Sequence, residues 1–387
     1  MSAKTSIEWT ERSWNPIVGC SIVSPGCTHC YAMREAARLE RMFKGTTGAP
    51  HYRGTTRIVN GNAVWTGKVE EASEKTLLEP LRTRKPTTWF VNSMGDLFHE
   101  AIEDYVIANV FGVMTCATQH IYQVLTKRHD RMRTLLSSAA FWDQVNAFSE
   151  EYAFEHSDPH ARRTDDYRAT SDDHDPENPP PNIWLGVSCE DQAHADERIP
   201  ALLQTPAAVR FVSAEPLLGP IDLTNIKYRD GDADCQINAL TAEAWVLNSD
   251  SPSAYTDEND GNTRLDWVIV GGENGPRPMH PDWPRQMRED CAGAGTPFFF
   301  KQWGSFLPVG QWLPGYGKIH GATAVKPGRM KLHYGGTPER EPSHAFAEHG
   351  VEFASTNDGR LTFRVGKKSA GRLLDGIEHN GMPRATS

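Results

Sequence analysis

No run of eighteen apolar residues occurs in this 387-residue sequence, and its opening, MSAKTSIEWTERSW, lacks the apolar stretch of a signal peptide. A soluble cytoplasmic protein with no membrane partner is the expectation. Cysteine is scarce and odd in number: of seven, four are dispersed, which argues against a disulfide framework. The G-x-G-x-x-G fingerprint is missing as well. Gly271-Gly272-Glu273-Asn274-Gly275 follows a predicted strand late in the chain without that spacing, so a doubly wound dinucleotide-binding sheet is not expected. These glycines are read as permitting close backbone approach to a bound group, or as a turn.

Basic charge is sparse in one segment and missing from another. Residues 151–178 hold nine acidic and three basic residues, a net of −6, and residues 230–262 hold eight acidic and none basic, a net of −8. Removing that −14 from the overall −10 leaves the rest of the chain at +4. Both segments are rich in Asp, Asn, Ser or Pro and nearly free of apolar periodicity, the pattern of poorly ordered insertions. The folded body is then mildly basic, which permits a polyanionic partner. Arg82, Arg84 and Lys85, the run 127–133, and Lys367, Lys368 and Arg372 fit either phosphate contacts or solvated faces.

What is present is concentrated near the start. Cys20, Cys27 and Cys30 fall within eleven residues, spaced C-x6-C-x2-C, immediately before a predicted helix. Three thiolates on one loop can hold three corners of a cubic iron–sulfur cluster and leave the fourth iron open. Structural zinc would need a fourth ligand, which His29, adjacent to Cys30, is poorly placed to supply and a distant Cys or His would have to. A redox or incidental cysteine group is the third account. Cys116 and Cys291 fall on predicted helices and read as buried apolar residues. Cys235 reads as incidental, and Cys189, at a strand end beside Glu190, as a hydrogen-atom donor or extra ligand.

Apolar runs at 13–18, 88–92, 120–126, 182–187, 209–213, 267–270 and 297–300 read as strands. Helices are expected at 32–44, 70–81, 102–115, 132–148, 193–203 and 283–292, and a hairpin at 56–65 turning on Asn60-Gly61. Strands apolar throughout and separated by helices indicate an α/β fold, a complete or partial (β/α) barrel of the TIM type. The barrel is expected over 1–304, with insertions at about 150–182 and 228–264, and a C-terminal extension over 305–387 packing on it. Strand C-terminal ends line the active site of such a fold. Here they carry Asp96, Lys127 with Arg128, Glu190 with Asp191, Glu215, Glu273 and Lys301. Trp89, Trp184, Trp267, Trp283 and Trp303 read as core or rim, with nucleobase stacking by Trp303 or Tyr31 as the other account.

The stretches IEWTERSWNPIVGCSIVSPGCTHCYA, FVNSMGDLF, YQVLTKRHDRM, WLGVSCEDQAHADERIPALL, VRFVSAEPLLGPIDL, VIVGGENGPRPMHPDWPRQMREDC, PFFFKQWG and VGKKSAGRLLDG together resemble the phage- and prophage-associated three-Cys-motif family of radical-SAM-like proteins. The resemblance spans nearly the whole chain apart from the acidic segments and parts of 305–361. It implies a [4Fe-4S] cluster on Cys20, Cys27 and Cys30 whose open iron chelates S-adenosylmethionine, reductive cleavage of that cofactor, and hydrogen abstraction from a substrate. The first gap has six residues where the superfamily commonly has three. Pro25 and Gly26 allow the tight turn that keeps the Cys27-x2-Cys30 bite.

By the same resemblance, His29, Tyr31, Ser93, Gly95, Asp96, Ser213 and Arg128 are the expected cofactor-binding residues, with Asp96 on the methionine ammonium. Glu215, Lys127, Glu273 and Lys301 are the expected catalytic set. Ser213 and Glu215 suit ribose hydroxyls or substrate; Lys127, Arg128 and Lys301 suit a carboxylate or a substrate phosphate. An electron donor of the flavodoxin or ferredoxin type, a nucleobase, nucleotide or nucleic-acid substrate, and a separately encoded partner protein complete the expectation. Two other readings stand beside it: a non-catalytic iron–sulfur or zinc module acting on DNA or a partner protein, and a cluster-independent methyltransferase.

Overall fold

The computed structural model describes residues 5, 7–45, 48–156, 173–247, 254–255, 263–308, 311, 322–323, 331–332, 353–355 and 361–384. Seven strands form the central sheet: β1 (Arg12–Trp14), β2 (Thr88–Val91), β3 (Ile121–Thr126), β4 (Ile183–Ser188), β5 (Val209–Ala214), β6 (Trp267–Gly271) and β7 (Phe298–Gln302). Their order in the sheet is their order along the chain, and every neighbouring pair is parallel. A chain-ordered parallel sheet has no switch point, so crossovers of one hand put the helices on one face and leave the other concave. The result is an α/β half-barrel, with β1 and β7 as its two edges.

Side-chain alternation assigns the two faces. Trp89, Val91, Tyr122, Val124, Leu185, Val187, Val212, Val268, Val270, Phe298 and Phe300 join the main core with the helices. Phe90, Trp184, Phe211, Trp267, Ile269 and Phe299 point the other way and close around Trp9. The Trp9 ring lies 4.7 Å from Phe90 and 6.1 Å from Trp267, filling the concave side with aromatic packing. Counting on in twos from Trp184, Phe211 and Phe299, and from Leu125, which packs against the same cluster, reaches Ser188, Ser213, Lys301 and Lys127, so the sheet itself aims them at one place.

The helices are α1 (Tyr31–Met42), α2 (Asp104–Cys116), α3 (His129–Leu136), α4 (Ala139–His156), α5 (Gln192–Leu203) and α6 (Asp282–Ala294). The expected hairpin forms between Thr56–Val59 and Asn62–Trp65, with Asn60 and Gly61 both at positive φ as its two-residue turn requires.

Four expectations are corrected. The strand at 13–18 breaks at Asn15-Pro16: Arg12–Trp14 stays in the main sheet, and Ile17–Val18 pairs instead with Glu70–Glu71. That pairing and Pro80 reduce the helix expected at 70–81 to Glu74–Leu77 and a single turn at Pro80–Arg82. The helix expected at 132–148 is α3 followed by α4, divided at Ser137-Ser138. The second acidic segment is not unstructured where described: Ile226–Asp230, Ala233–Ile237, Ala244–Val246 and Ala254–Tyr255 make an antiparallel meander. Of the first, residues through 156 extend α4, and 157–172 lie outside the described residues.

The C-terminal extension packs on the half-barrel. Phe306–Pro308 pairs with Leu361–Arg364, and the Phe300 and Gly381 amides donate to His379 O (3.0 Å) and Phe298 O (2.9 Å), covering the free edge of β7. Among the described residues, no helix is long and apolar enough to cross a membrane.

Candidate functional site

A cavity of about 430 Å³ opens at the C-terminal end of the sheet and is lined by every residue expected to hold the cluster, bind the cofactor or act in catalysis; Glu190 and Asp191, also at a strand end, do not line it. Cys20, Cys27, Cys30, His29 and Tyr31 come from the cysteine loop and the start of α1. Ser93, Gly95 and Asp96 follow β2, Lys127 and Arg128 follow β3, Ser213 and Glu215 close β5, Glu273 follows β6, and Lys301 is on β7. Ile7, Trp9, Phe90 and Leu125 give it an apolar side.

The cysteine loop is docked on this rim by named contacts. The Gly19 amide donates to Met94 O at 3.0 Å, and Gly19 and Gly95 form a parallel bridge; a Cβ on Gly95 would come within 3.0 Å of Gly19 O. Tyr31 Oη donates to Ser93 O (3.0 Å), so this ring anchors α1 to the end of β2. On the far side the Gly26 amide donates to Glu190 Oε1 (3.2 Å), and Arg277 Nη2 donates to Pro25 O (2.9 Å).

Each sulfur has its own polar neighbour. Arg128 Nη1 lies 3.8 Å from Cys20 Sγ, Ser24 Oγ lies 3.6 Å from Cys27 Sγ, and the Ala32 and Met33 amides at the start of α1 face Cys30. Burial pushes the Cys20 thiol up to about 12, with Asp96 adding to the effect and Arg128 opposing it. Burial also raises Cys30, against those two amides. Thiols so placed ionise when positive charge arrives to compensate, as it does on metal binding. Among the described residues, no three of His, Cys, Asp and Glu converge on the distance of a single metal ion. A cubane distributes its thiolates over separate irons, so three sulfurs facing one cavity suit it.

The charged residues are already paired. Asp96 receives Arg128 Nη1 at 2.9 Å, the Thr126 hydroxyl at 2.7 Å and the Lys127 amide at 3.1 Å, so its carboxylate is committed to the β2–β3 junction and not left for a ligand ammonium. Arg128 also grips Glu100 (3.0 Å) and Ser21 Oγ (2.7 Å), which leaves it no free fork for a carboxylate or phosphate. Glu190, fully buried, takes Lys127 Nζ (2.7 Å) and Arg198 Nη1 (3.0 Å) on Oε2. Burial alone would raise its pKa, but the Lys127 ammonium, the Ser24 hydroxyl and Arg198 together bring it down to about 2.

Glu215 is held by Lys301 Nζ (2.7 Å) and Gln302 Nε2 (2.6 Å), and Glu273 by Arg277. Among the described residues, Lys301 spends one of its three donors there and retains two. Three buried amide atoms of cavity-lining residues lack partners among the described residues: Asn92 Nδ2, Asn274 Oδ1 and Gln302 Oε1.

Several readings change. Cys189 is buried with its thiol toward His194 O (3.6 Å) and does not line the cavity, so it is not placed as a hydrogen-atom donor or ligand. Trp303 is buried with Nε1 on Leu373 O (2.8 Å) and stacks nothing in the cavity. The close approach allowed by Gly272 is to the chain itself, since a Cβ there would meet Trp303 O at 2.1 Å. Within the basic run 127–133, Lys127, Arg128, Arg131 and Arg133 pair with Glu190, Asp96, Asp104 and Asp130. Cys116, Cys291 and Cys235 are all buried, the last within the meander.

Trp65, Asn274, Gln302 and Ser188 also line the cavity and were not anticipated. Only Ser188 was signalled, by its strand-end position; Trp65 arrives on the hairpin, whose packing against α1 no local pattern announces.

A family model matches residues 4–383, almost the full length. The chain belongs to the family described as "Protein of unknown function (DUF5131)". Neither the curated proteins nor the solved structures contain a match to it. For this DUF5131 chain, function therefore rests on a cavity lined by three cysteines, by paired strand-end charges and by apolar residues.

Proposed function

We propose that this protein is an iron–sulfur enzyme of the radical SAM kind, with Cys20, Cys27 and Cys30 as ligands of a [4Fe-4S] cluster. One observation carries the reading: the three thiols and the polar ends of the parallel strands face a single cavity. When bound, such a cluster supplies a low-potential electron for cleavage of S-adenosylmethionine. The electron comes from an external donor of the flavodoxin or ferredoxin type.

The protein's own residues supply binding, orientation and exclusion of water. Lys301, fixed by Glu215, offers two remaining N–H donors to a carboxylate or phosphate. A nucleobase or nucleotide is the proposed substrate class: Lys301 suits its phosphate, and the Tyr31 ring on the cavity wall suits stacking of its base. Ile7, Trp9, Phe90 and Leu125 keep one side dry. Lys127 and Glu190 hold the loop through Gly26 and keep their charges within the wall.

The test begins with anaerobic reconstitution, where about four iron and four sulfide per chain are expected. Dithionite and S-adenosylmethionine should then release 5′-deoxyadenosine. Cys20→Ala, Cys27→Ala and Cys30→Ala should each abolish both results. An intact cluster without 5′-deoxyadenosine would favour the binding-module reading, and S-adenosylhomocysteine formed equally by the three variants would favour a cluster-independent methyltransferase.

A further inference from the structure

Among the described residues, Cys20 is the one of the three sulfurs with a cationic hydrogen-bond donor, the Arg128 guanidinium. That group is fixed from every side. Nη1 is shared between Cys20 Sγ (3.8 Å) and Asp96 Oδ2 (2.9 Å), Nε is on Glu100 (3.0 Å), and Nη2 is on Ser21 Oγ (2.7 Å). Ser21 Oγ is held in turn by His99. His99 Nδ1 accepts the Ala101 amide (3.1 Å), so Nε2 carries the proton and donates to Ser21 Oγ across 3.0 Å. The Arg128 and Asp96 side chains are buried, at 5% and 8% exposed, whereas Glu100 is 66% exposed.

A guanidinium fixed at this distance stabilises negative charge on sulfur, and does so more strongly in a buried setting. Hydrogen bonds to ligating sulfurs and nearby charge are among the factors that set an iron–sulfur potential. We propose that Arg128, locked by Asp96 and by the Ser21–His99 pair, is a positioning residue that raises the reduction potential of the cluster held by Cys20, Cys27 and Cys30. The inference rests on the iron–sulfur reading of the site. The step affected is one-electron reduction: the added electron, from dithionite or a low-potential protein donor, increases the negative charge on cluster and thiolates, and Arg128 favours that state.

Arg128→Lys keeps a cation opposite Asp96 and removes the fork that reaches Cys20 and Ser21. Wild type, R128K, Ser21→Ala and Glu100→Gln are reconstituted without oxygen, assayed for iron and sulfide, and titrated potentiometrically with dithionite and mediators. R128K is expected to show a lower midpoint potential than wild type at equal iron and sulfide, S21A a smaller fall, and E100Q no shift because Asp96 and Ser21 still hold the guanidinium. Equal potentials for wild type, R128K and S21A at full cluster content would overturn the role of Arg128 while leaving the cluster reading intact. Wild-type protein that takes up no iron and sulfide would overturn both. If R128K fails to fold, S21A carries the comparison.

Discussion

At the scale of single residues, polar side chains at the strand ends were readable because they terminate runs as apolar as FVSAE and PFFFK. Their partners were not. Glu190 meets Gly26 across 164 positions of sequence, and nothing local to either residue announces that the later one fastens the cysteine loop. Asp96 shows the same limit: its place beside the cavity was legible, but its capture by Arg128 depends on the register of β2 against β3. The Glu190 pairing has a pH signature. Its carboxyl is depressed from an ordinary 4.5 to about 2, so its stabilising contribution is present in full above 4.5 and is lost as pH falls through its folded value. Urea midpoints measured from pH 6 downward should therefore drop across that window in wild type, and Glu190→Gln should flatten this part of the profile. Glu190→Ala, which leaves Lys127 and Arg198 facing each other without a counter-charge, should cost roughly 3–5 kcal/mol of unfolding free energy.

At the scale of elements, the seven strands were legible because each is a short β-branched or aromatic run set between helices, a pattern that survives any detail of tertiary contact. The failures occurred where two weak signals competed. Residues 70–81 have helical composition, but Glu70-Glu71 finds a pairing partner in Ile17-Val18 and Pro80 removes an amide, so little of the helix survives. The meander after β5 was hidden by strands that are short and carry charges, such as IKYRD and ADCQI. Helix packing offers a direct test at Gly112, where α2 crosses α4. A Cβ there would lie 2.5 Å from Phe148 Cβ and 3.2 Å from the Ser149 amide nitrogen. Gly→Ala inside a helix ordinarily stabilises by roughly 0.5–1 kcal/mol. Overpacking against atoms that cannot swing aside costs roughly 1–3 kcal/mol, so the clash should dominate. Gly112→Ala is expected to lower the thermal midpoint; an unchanged or higher midpoint would show that α4 moves away at little cost.

At the scale of the molecule, a half-barrel must deal with edges that a closed barrel does not have. The edge of β7 is covered by the C-terminal segment, whose sequence indicated an extension but not its role as an edge cover. Gly381 pairs with Phe298, His379 O receives the Phe300 amide, Gly381 O takes the Trp267 indole N–H (2.7 Å), and Leu373 O takes that of Trp303 (2.8 Å). Asp375 fastens the same segment to α6 through Arg285 and Arg288, bonds that hold its carboxyl well below the usual range. The segment also brings Lys367 to the cavity, where it lies 3.7 Å from Glu8. Exposed in part, that ion pair contributes at most about 1 kcal/mol, so the backbone pairing along β7 is what holds the segment in place. Gly381→Val tests this ordering. Its Cβ would lie 2.7 Å from both the nitrogen and the oxygen of Phe298, backbone atoms fixed by the sheet, so the segment must lift away. Lifting strips the Trp267 N–H of its acceptor and bares a long apolar edge strand. G381V should therefore shift to larger species than wild type on size-exclusion chromatography and melt well below it, whereas Glu8→Ala should change neither. A G381V protein that elutes as wild type does, with an unaltered melt, would mean that the edge is protected by some other part of the chain.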